Sequence, residues 1–107
     1  MPRKTNDPQW SDPALLVLSS LAVGSRHGYA IVKDVEATAG VHLGPGTLYA
    51  VLARLETRGL IEPLPPVDRR RPYQITAAGS AVLDAEIARM GRFVELSRDR
   101  MRVRGTA

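Results

Sequence analysis

Hydrophobic and polar positions divide the chain into five stretches of distinct periodicity. Residues 14–23 are apolar on nearly every side, with Leu15, Leu16, Val17, Leu18 and Leu21, and stop at Gly24. A helix of that kind is buried on two sides, and in a short chain a second subunit can supply one of them. Residues 27–38 alternate an apolar face (Tyr29, Ile31, Val32, Val35) with Lys33, Asp34 and Glu36, and end at Gly40. This predicts a second helix, with Ser25 as its cap. Residues 44–61 repeat Leu48, Val51, Leu52 and Leu55 at helical spacing. Pro45 or Gly46 opens this third helix, and Gly59 closes it in the left-handed conformation. Residues 60–64 and 73–76 alternate as short strands around Pro65-Pro66-Val67-Asp68-Arg69-Arg70-Arg71-Pro72. From Thr76, a cap, a proline-free helix runs from Ala77 to about Met101.

The helix starts and stops carry further signals. Ser11-Asp12-Pro13 is a good start for the first helix, and with Ser11 as cap Trp10 lies at the staple position over Leu15. On the third helix the face opposite the leucines holds Thr47, Ala50, Arg54 and Arg58, with Tyr49 at its edge. A small, polar, cationic face suits a helix laid against nucleic acid, and equally an ordinary surface helix. On the last helix Leu83, Ile87, Met90, Val94, Ser97 and Met101 fall at alternating spacings of four and three, which is an a/d seam. Phe93 and Leu96 widen it. Such a helix packs on its counterpart in a two-fold dimer, folds back on the first helix, or does both.

Charge shifts the balance between these readings. The net charge is +4 over 107 residues. Residues 1–62 hold six cations and six acids, whereas residues 63–107 hold nine arginines against five acids. The excess lies at Arg69, Arg70 and Arg71 and in the last ten residues, a polyanion-binding footprint. Two short helices joined by a glycine-containing turn form a helix-turn-helix. Followed at once by a hairpin with a basic tip, they make a winged helix. The expected fold is mainly α with a small β-hairpin: a flexible arm over 1–10, a winged helix-turn-helix over 11–76, a dimerisation helix over 77–101 and a basic tail over 102–107.

Other chemistry is excluded. The chain has no cysteine and two histidines, His27 and His42, on different elements. No nucleophile–base–orienter set and no metal-ligand cluster can be assembled, so neither an enzyme nor a cofactor is expected. Gly44-x-Gly46 follows no strand and is not a phosphate loop. The longest apolar run, residues 14–23, is too short to span a bilayer and no signal peptide precedes it. The expected setting is cytoplasmic.

The motifs His27-Gly28-Tyr29-Ala30-Ile31, Gly44-Pro45-Gly46-Thr47-Leu48-Tyr49, Arg70-Arg71-Pro72-Tyr73 and Ile75-Thr76-Ala77-Ala78-Gly79 stand in an order and spacing that resembles the PadR-like transcriptional regulators. The resemblance covers residues 13–100 and is to the short branch with a single C-terminal helix. It implies a homodimeric repressor that binds double-stranded operator DNA. His27, Tyr29, Pro45, Thr47, Tyr49, Ala50, Arg54, Arg69, Arg70 and Arg71 would face the DNA, with Tyr49 at a phosphate and the arginines on backbone or minor groove. Leu83, Ile87, Met90, Val94 and Met101 would form the dimer seam. Some members release DNA when a flat aromatic effector enters the interface. Met90 stands where some short-branch members carry a stacking tryptophan, so that platform is absent. Trp10, Leu15, Ser19, Met90 and Phe93 remain to line a candidate pocket, against plainer roles for Trp10 as a staple and Phe93 in packing. The alternative is a winged-helix protein–protein adaptor that binds no DNA, which the basic wing opposes.

Overall fold

The computed structural model describes residues 12–106. The chain runs α1 (Pro13–Val23), β1 (Arg26–His27), α2 (Gly28–Ala39), α3 (Pro45–Thr57), β2 (Ile61–Pro63), β3 (Pro72–Ile75) and α4 (Ala77–Thr106). The expected hairpin is one part of a three-stranded antiparallel sheet of order β1-β3-β2. Arg26 and His27 pair with Tyr73 and Pro72, and Ile61, Glu62 and Pro63 pair with Ile75, Gln74 and Tyr73. β3 is therefore the central strand, clamped on both sides.

The core is the junction of the first three helices. Val17, Leu18 and Leu21 of α1 meet Ile31 and Val35 of α2 and Leu48, Val51, Leu52 and Leu55 of α3, closed by Leu43 and Ile61. Each such side chain, fully buried, contributes about 1.5–3 kcal/mol. The leucine stripe read along residues 48–55 is thus the buried face of α3. On α2, Ile31 and Val35 are buried as expected, but Tyr29 is 62% exposed and belongs to the outer surface.

The helix ends use specific donors and acceptors. Asp12 caps α1 by accepting from Ala14 N at 2.8 Å; Trp10 and Ser11 lie outside the described residues. At the other end of α1 the Ser20 carbonyl accepts from Arg26 Nε at 3.2 Å, which satisfies one of the last-turn carbonyls a helix leaves open. Arg26 also lies 3.9 Å from Asp34 of α2. The cap of α2 is His27, not Ser25: its Nδ1 accepts from Ala30 N at 3.3 Å. Ser25 is displaced from that role because β1 intervenes between it and the helix. Gly40 (φ 69°) ends α2 and Gly59 (φ 74°) follows α3, both left-handed.

Thr76 joins three elements. Its hydroxyl donates to Gly59 O at 2.7 Å and accepts from Gly79 N at 3.0 Å, while its N–H donates to Leu60 O at 3.0 Å. Gly79 is buried beneath this junction. From here α4 runs 30 residues, about 45 Å at 1.5 Å per residue. It continues to Thr106 rather than giving way to a tail after Met101, helped by the Arg102–Asp99 ion pair one turn apart. Its first turns pack on α1, and Leu83 reaches the core. Farther out, Ile87 is 56% and Met101 69% exposed.

Candidate nucleic-acid interface

The N-terminus of α2, the front of α3 and the root of the wing converge on one cleft. Its volume is about 390 Å³, and His27, Gly28, Tyr29, Tyr49, Leu52, Arg69, Arg70, Arg71 and Tyr73 line it. Gly28 packs close against α3: a Cβ there would lie 3.2 Å from Leu48 Cδ2. Tyr29 and Tyr49 also line a second groove with Val32, His42, Leu43, Pro45 and Leu48. The two tyrosines thus form a ridge between the grooves.

The wing itself is tightly turned. Val67 N donates to Arg70 O at 2.8 Å and Arg70 N to Val67 O at 2.9 Å. The two residues between, Asp68 (φ 50°) and Arg69 (φ 66°), are both left-handed. This is the backbone of a type I′ two-residue hairpin turn, which matches the twist of the flanking strands. Neither residue is glycine, so the turn holds local strain.

The three wing arginines, read from the sequence as one cationic set, have three different environments. Arg69 sits at the turn. Arg71 Nη1 donates to Leu64 O at 2.8 Å and braces the loop. Arg70 Nη1 approaches His27 Nε2 to 3.2 Å, and its guanidinium carbon is 6.0 Å from the centre of the Tyr29 ring. Lys33 Nζ lies 5.8 Å from the same ring. Among the described residues, none of the ion pairs engages Arg69, Arg70 or Arg71.

Of the residues expected to face DNA, His27, Tyr29, Tyr49, Arg69, Arg70 and Arg71 share the cleft, and Pro45 adjoins it. Thr47, Ala50 and Arg54 are exposed on α3 outside it. Tyr73 lines the cleft and was not singled out from the sequence; its place in the wing motif was the one signal for it. His42 lies on the link before α3, its Nδ1 2.6 Å from Glu36 Oε2. That hydrogen bond holds the Glu36 carboxyl below its ordinary value, with the imidazole charge and Lys33 acting in the same direction.

The other candidate pocket is not assembled within one chain. Leu15 lines a groove between α1 and α4 with Leu18, Leu55, Val82, Glu86 and Arg89, but Ser19, Met90 and Phe93 are not part of it. Ser19 is exposed, Met90 is half-buried and Phe93 is 66% exposed. Trp10 lies outside the described residues. Among those residues no cluster of His, Asp or Glu could hold a metal ion, and no helix is long and apolar enough to cross a membrane.

Comparison with known proteins agrees with this geometry. The model of the transcriptional regulator PadR-like family matches residues 17–85. A PadR family transcription regulator from Clostridium difficile superposes with a TM-score of 0.71 at 26% identity, covering 83% of this chain and 96% of its own. A second one, from Eggerthella lenta, gives a TM-score of 0.67 at 32% identity, covering 77% and 74%. An uncharacterized 37.1 kDa protein of transposon Tn4556 from Streptomyces fradiae is 46% identical over 89 residues, which is 83% of this chain. The chain spans about a quarter (24%) of that relative's length. From the matched family model, the shared fold and the wing-and-helix cleft together, the chain belongs to the PadR-like family of transcriptional regulators.

Proposed function

We propose that this regulator is a sequence-specific DNA-binding repressor that acts as a homodimer. The cleft carries the reading: unpaired wing cations and the tyrosine-bearing front of α3 adjoin on one surface. α3 would enter the major groove with Thr47, Ala50 and Arg54 towards the bases and Tyr49 at a phosphate. The wing arginines would supply salt-dependent affinity. Thr47 and Ala50 are small, so the helix alone contributes little of it.

Dimerisation is supported by the apolar residues that α4 leaves uncovered, Ile87, Val94 and Met101 among them. With Leu83 and Met90 they continue the a/d seam. Two α3 helices related by the dimer axis would reach successive major grooves about 34–36 Å apart. Any effector would bind between protomers, where Leu15, Ser19, Met90 and Phe93 of both chains could meet, and would act by preferring a spacing that does not fit the operator.

Fluorescence anisotropy of the chain with duplex DNA, titrated across salt, tests the reading. Arg70→Ala should weaken binding to every sequence and lower the slope of log K against log salt by about 0.9 per protomer. Tyr49→Ala should weaken binding without that change in slope. Parental binding by both variants would refute the docking, and absence of salt-sensitive duplex binding by the parent would leave the adaptor reading.

A further inference from the structure

We propose that Arg26 is a positioning residue for DNA binding, which sets the wing against the helix pair without touching the nucleic acid. The inference rests on the DNA-binding reading and deepens it. α2 and α3 end on backbone donors: Gly40 N donates to Glu36 O at 3.1 Å, and Arg58 N to Arg54 O at 3.1 Å. α1 ends differently. Gly24 is extended (φ 166°) and leads the chain out towards β1. Two residues later the Arg26 side chain folds back, and its Nε donates to Ser20 O at 3.2 Å. Its Nη2 lies 3.9 Å from Asp34 Oδ1, in the middle of α2. The backbone of the same residue pairs with Tyr73, which lines the cleft at the root of the wing. One residue therefore joins the end of α1, the middle of α2 and the central strand of the sheet.

β1 needs such a tether. It has two residues, and a ladder that short has little hold of its own. The tether is also particular to arginine. A planar guanidinium presents Nε and Nη2 in two fixed directions, whereas a lysine ammonium is a single point. Arg26 does not line the cleft. Its side chain is 27% exposed, with Nε and Nη2 turned to acceptors within the protein. Its influence on DNA binding therefore runs through the wing. With the tether in place, Arg69 and Arg70 meet the duplex together with the front of α3. Without it, binding has to order the wing against the helices first, and that ordering lowers affinity.

Arg26→Met keeps the aliphatic stem and removes the donors. Two measurements on the full chain test the role. In hydrogen exchange without DNA, the β1 and β3 amides of Arg26→Met should exchange about tenfold faster, as for one lost hydrogen bond to a charged group. The amides of the core residues Leu18, Ile31 and Leu52 should keep their parental rates, because the opening is local. In anisotropy at low salt, Arg26→Met should bind duplex about tenfold more weakly, on the same basis. In an Arg69→Ala, Arg70→Ala background, where the wing lacks those two cations, the same change should cost about twofold or less, since coupled residues are not additive. Arg26→Lys should recover only part of the affinity. Equal losses in the two backgrounds, full recovery by lysine, or core amides that quicken in step with the sheet would each overturn the role, leaving Arg26 a plain charge or a contributor to global stability. A parent chain that binds no duplex is a separate result: it defeats the DNA-binding reading, and the positioning role falls with it.

Discussion

Replacing Gly79 by alanine should destabilise the protein, although helix propensity alone predicts the reverse. In the interior of a helix, alanine is better than glycine by about 1 kcal/mol. At Gly79, however, an added Cβ would lie 2.0 Å from Leu60 O and 2.8 Å from Ile75 Cγ1. The carbonyl must recede by about 1 Å before the contact becomes tolerable, and overpacking of that kind costs roughly 1–3 kcal/mol or more. The same carbonyl accepts from Thr76 N, and the Thr76 hydroxyl bridges Gly59 and Gly79. Displacing α4 strains those bonds, each worth about 1 kcal/mol. The net loss should be about 2–4 kcal/mol, which lowers the urea midpoint by roughly 1–2 M. Urea unfolding followed by circular dichroism, at equal protomer concentration, measures it. Gly91→Ala is the matched control: nothing outside its own stretch of helix lies within 4 Å of its Cβ position, so it should gain slightly. A Gly79→Ala protein as stable as the parent would refute the close packing of α4 on Leu60.

Two further outcomes test the wing and the long helix. Arg69→Gly should raise the urea midpoint, because glycine relieves a left-handed residue of about 1 kcal/mol, and should reduce the salt slope of DNA binding by about 0.9 per protomer; Arg69→Lys should do neither. Val94→Asp should leave the protomer folded, since Val94 is 45% exposed within it. It should raise the dimer dissociation constant by about a hundredfold or more, through a charge buried twice across the two-fold axis. A sedimentation profile identical to the parent's would exclude the seam.

The parts legible in the sequence are those with long periodicity or a marked stop. Leu48, Val51, Leu52 and Leu55 give a helical stripe, Gly40 stands at the expected end of α2, and Gly59 adopts the left-handed conformation expected of it. The parts that were not legible are short or contextual. β1 has two residues, too few to alternate, and without it Ser25 looks like the natural cap. His27 takes that role because strand pairing with Pro72 orients its ring. Asp68-Arg69 lacks the Asn-Gly signature of its turn type. Gly79 within a helical pattern reads as a weak helix position, because its reason is the Leu60 carbonyl on another element. The three arginines look equivalent in sequence, and only their neighbours Tyr29, Leu64 and His27 distinguish them. The continuation of α4 past Met101 went unread because its arginines suggest a tail, whereas pairing with Asp99 makes them surface residues of a helix.

The central position of β3 bears on how such a regulator can change its target. The three-stranded part of the sheet ends at Pro72 and Tyr73; residues 65–71 lie beyond it, where the Val67–Arg70 bridge and the Arg71–Leu64 hydrogen bond close the tip. Loop closure is only weakly sensitive to length, and lengthening or recharging that segment leaves the register of the sheet untouched. Reach and charge at the tip can therefore change without moving Arg26 and His27, which pair with Tyr73 and Pro72 as a third strand. Salt-dependent affinity can be tuned at the tip while the strands that present it keep their register.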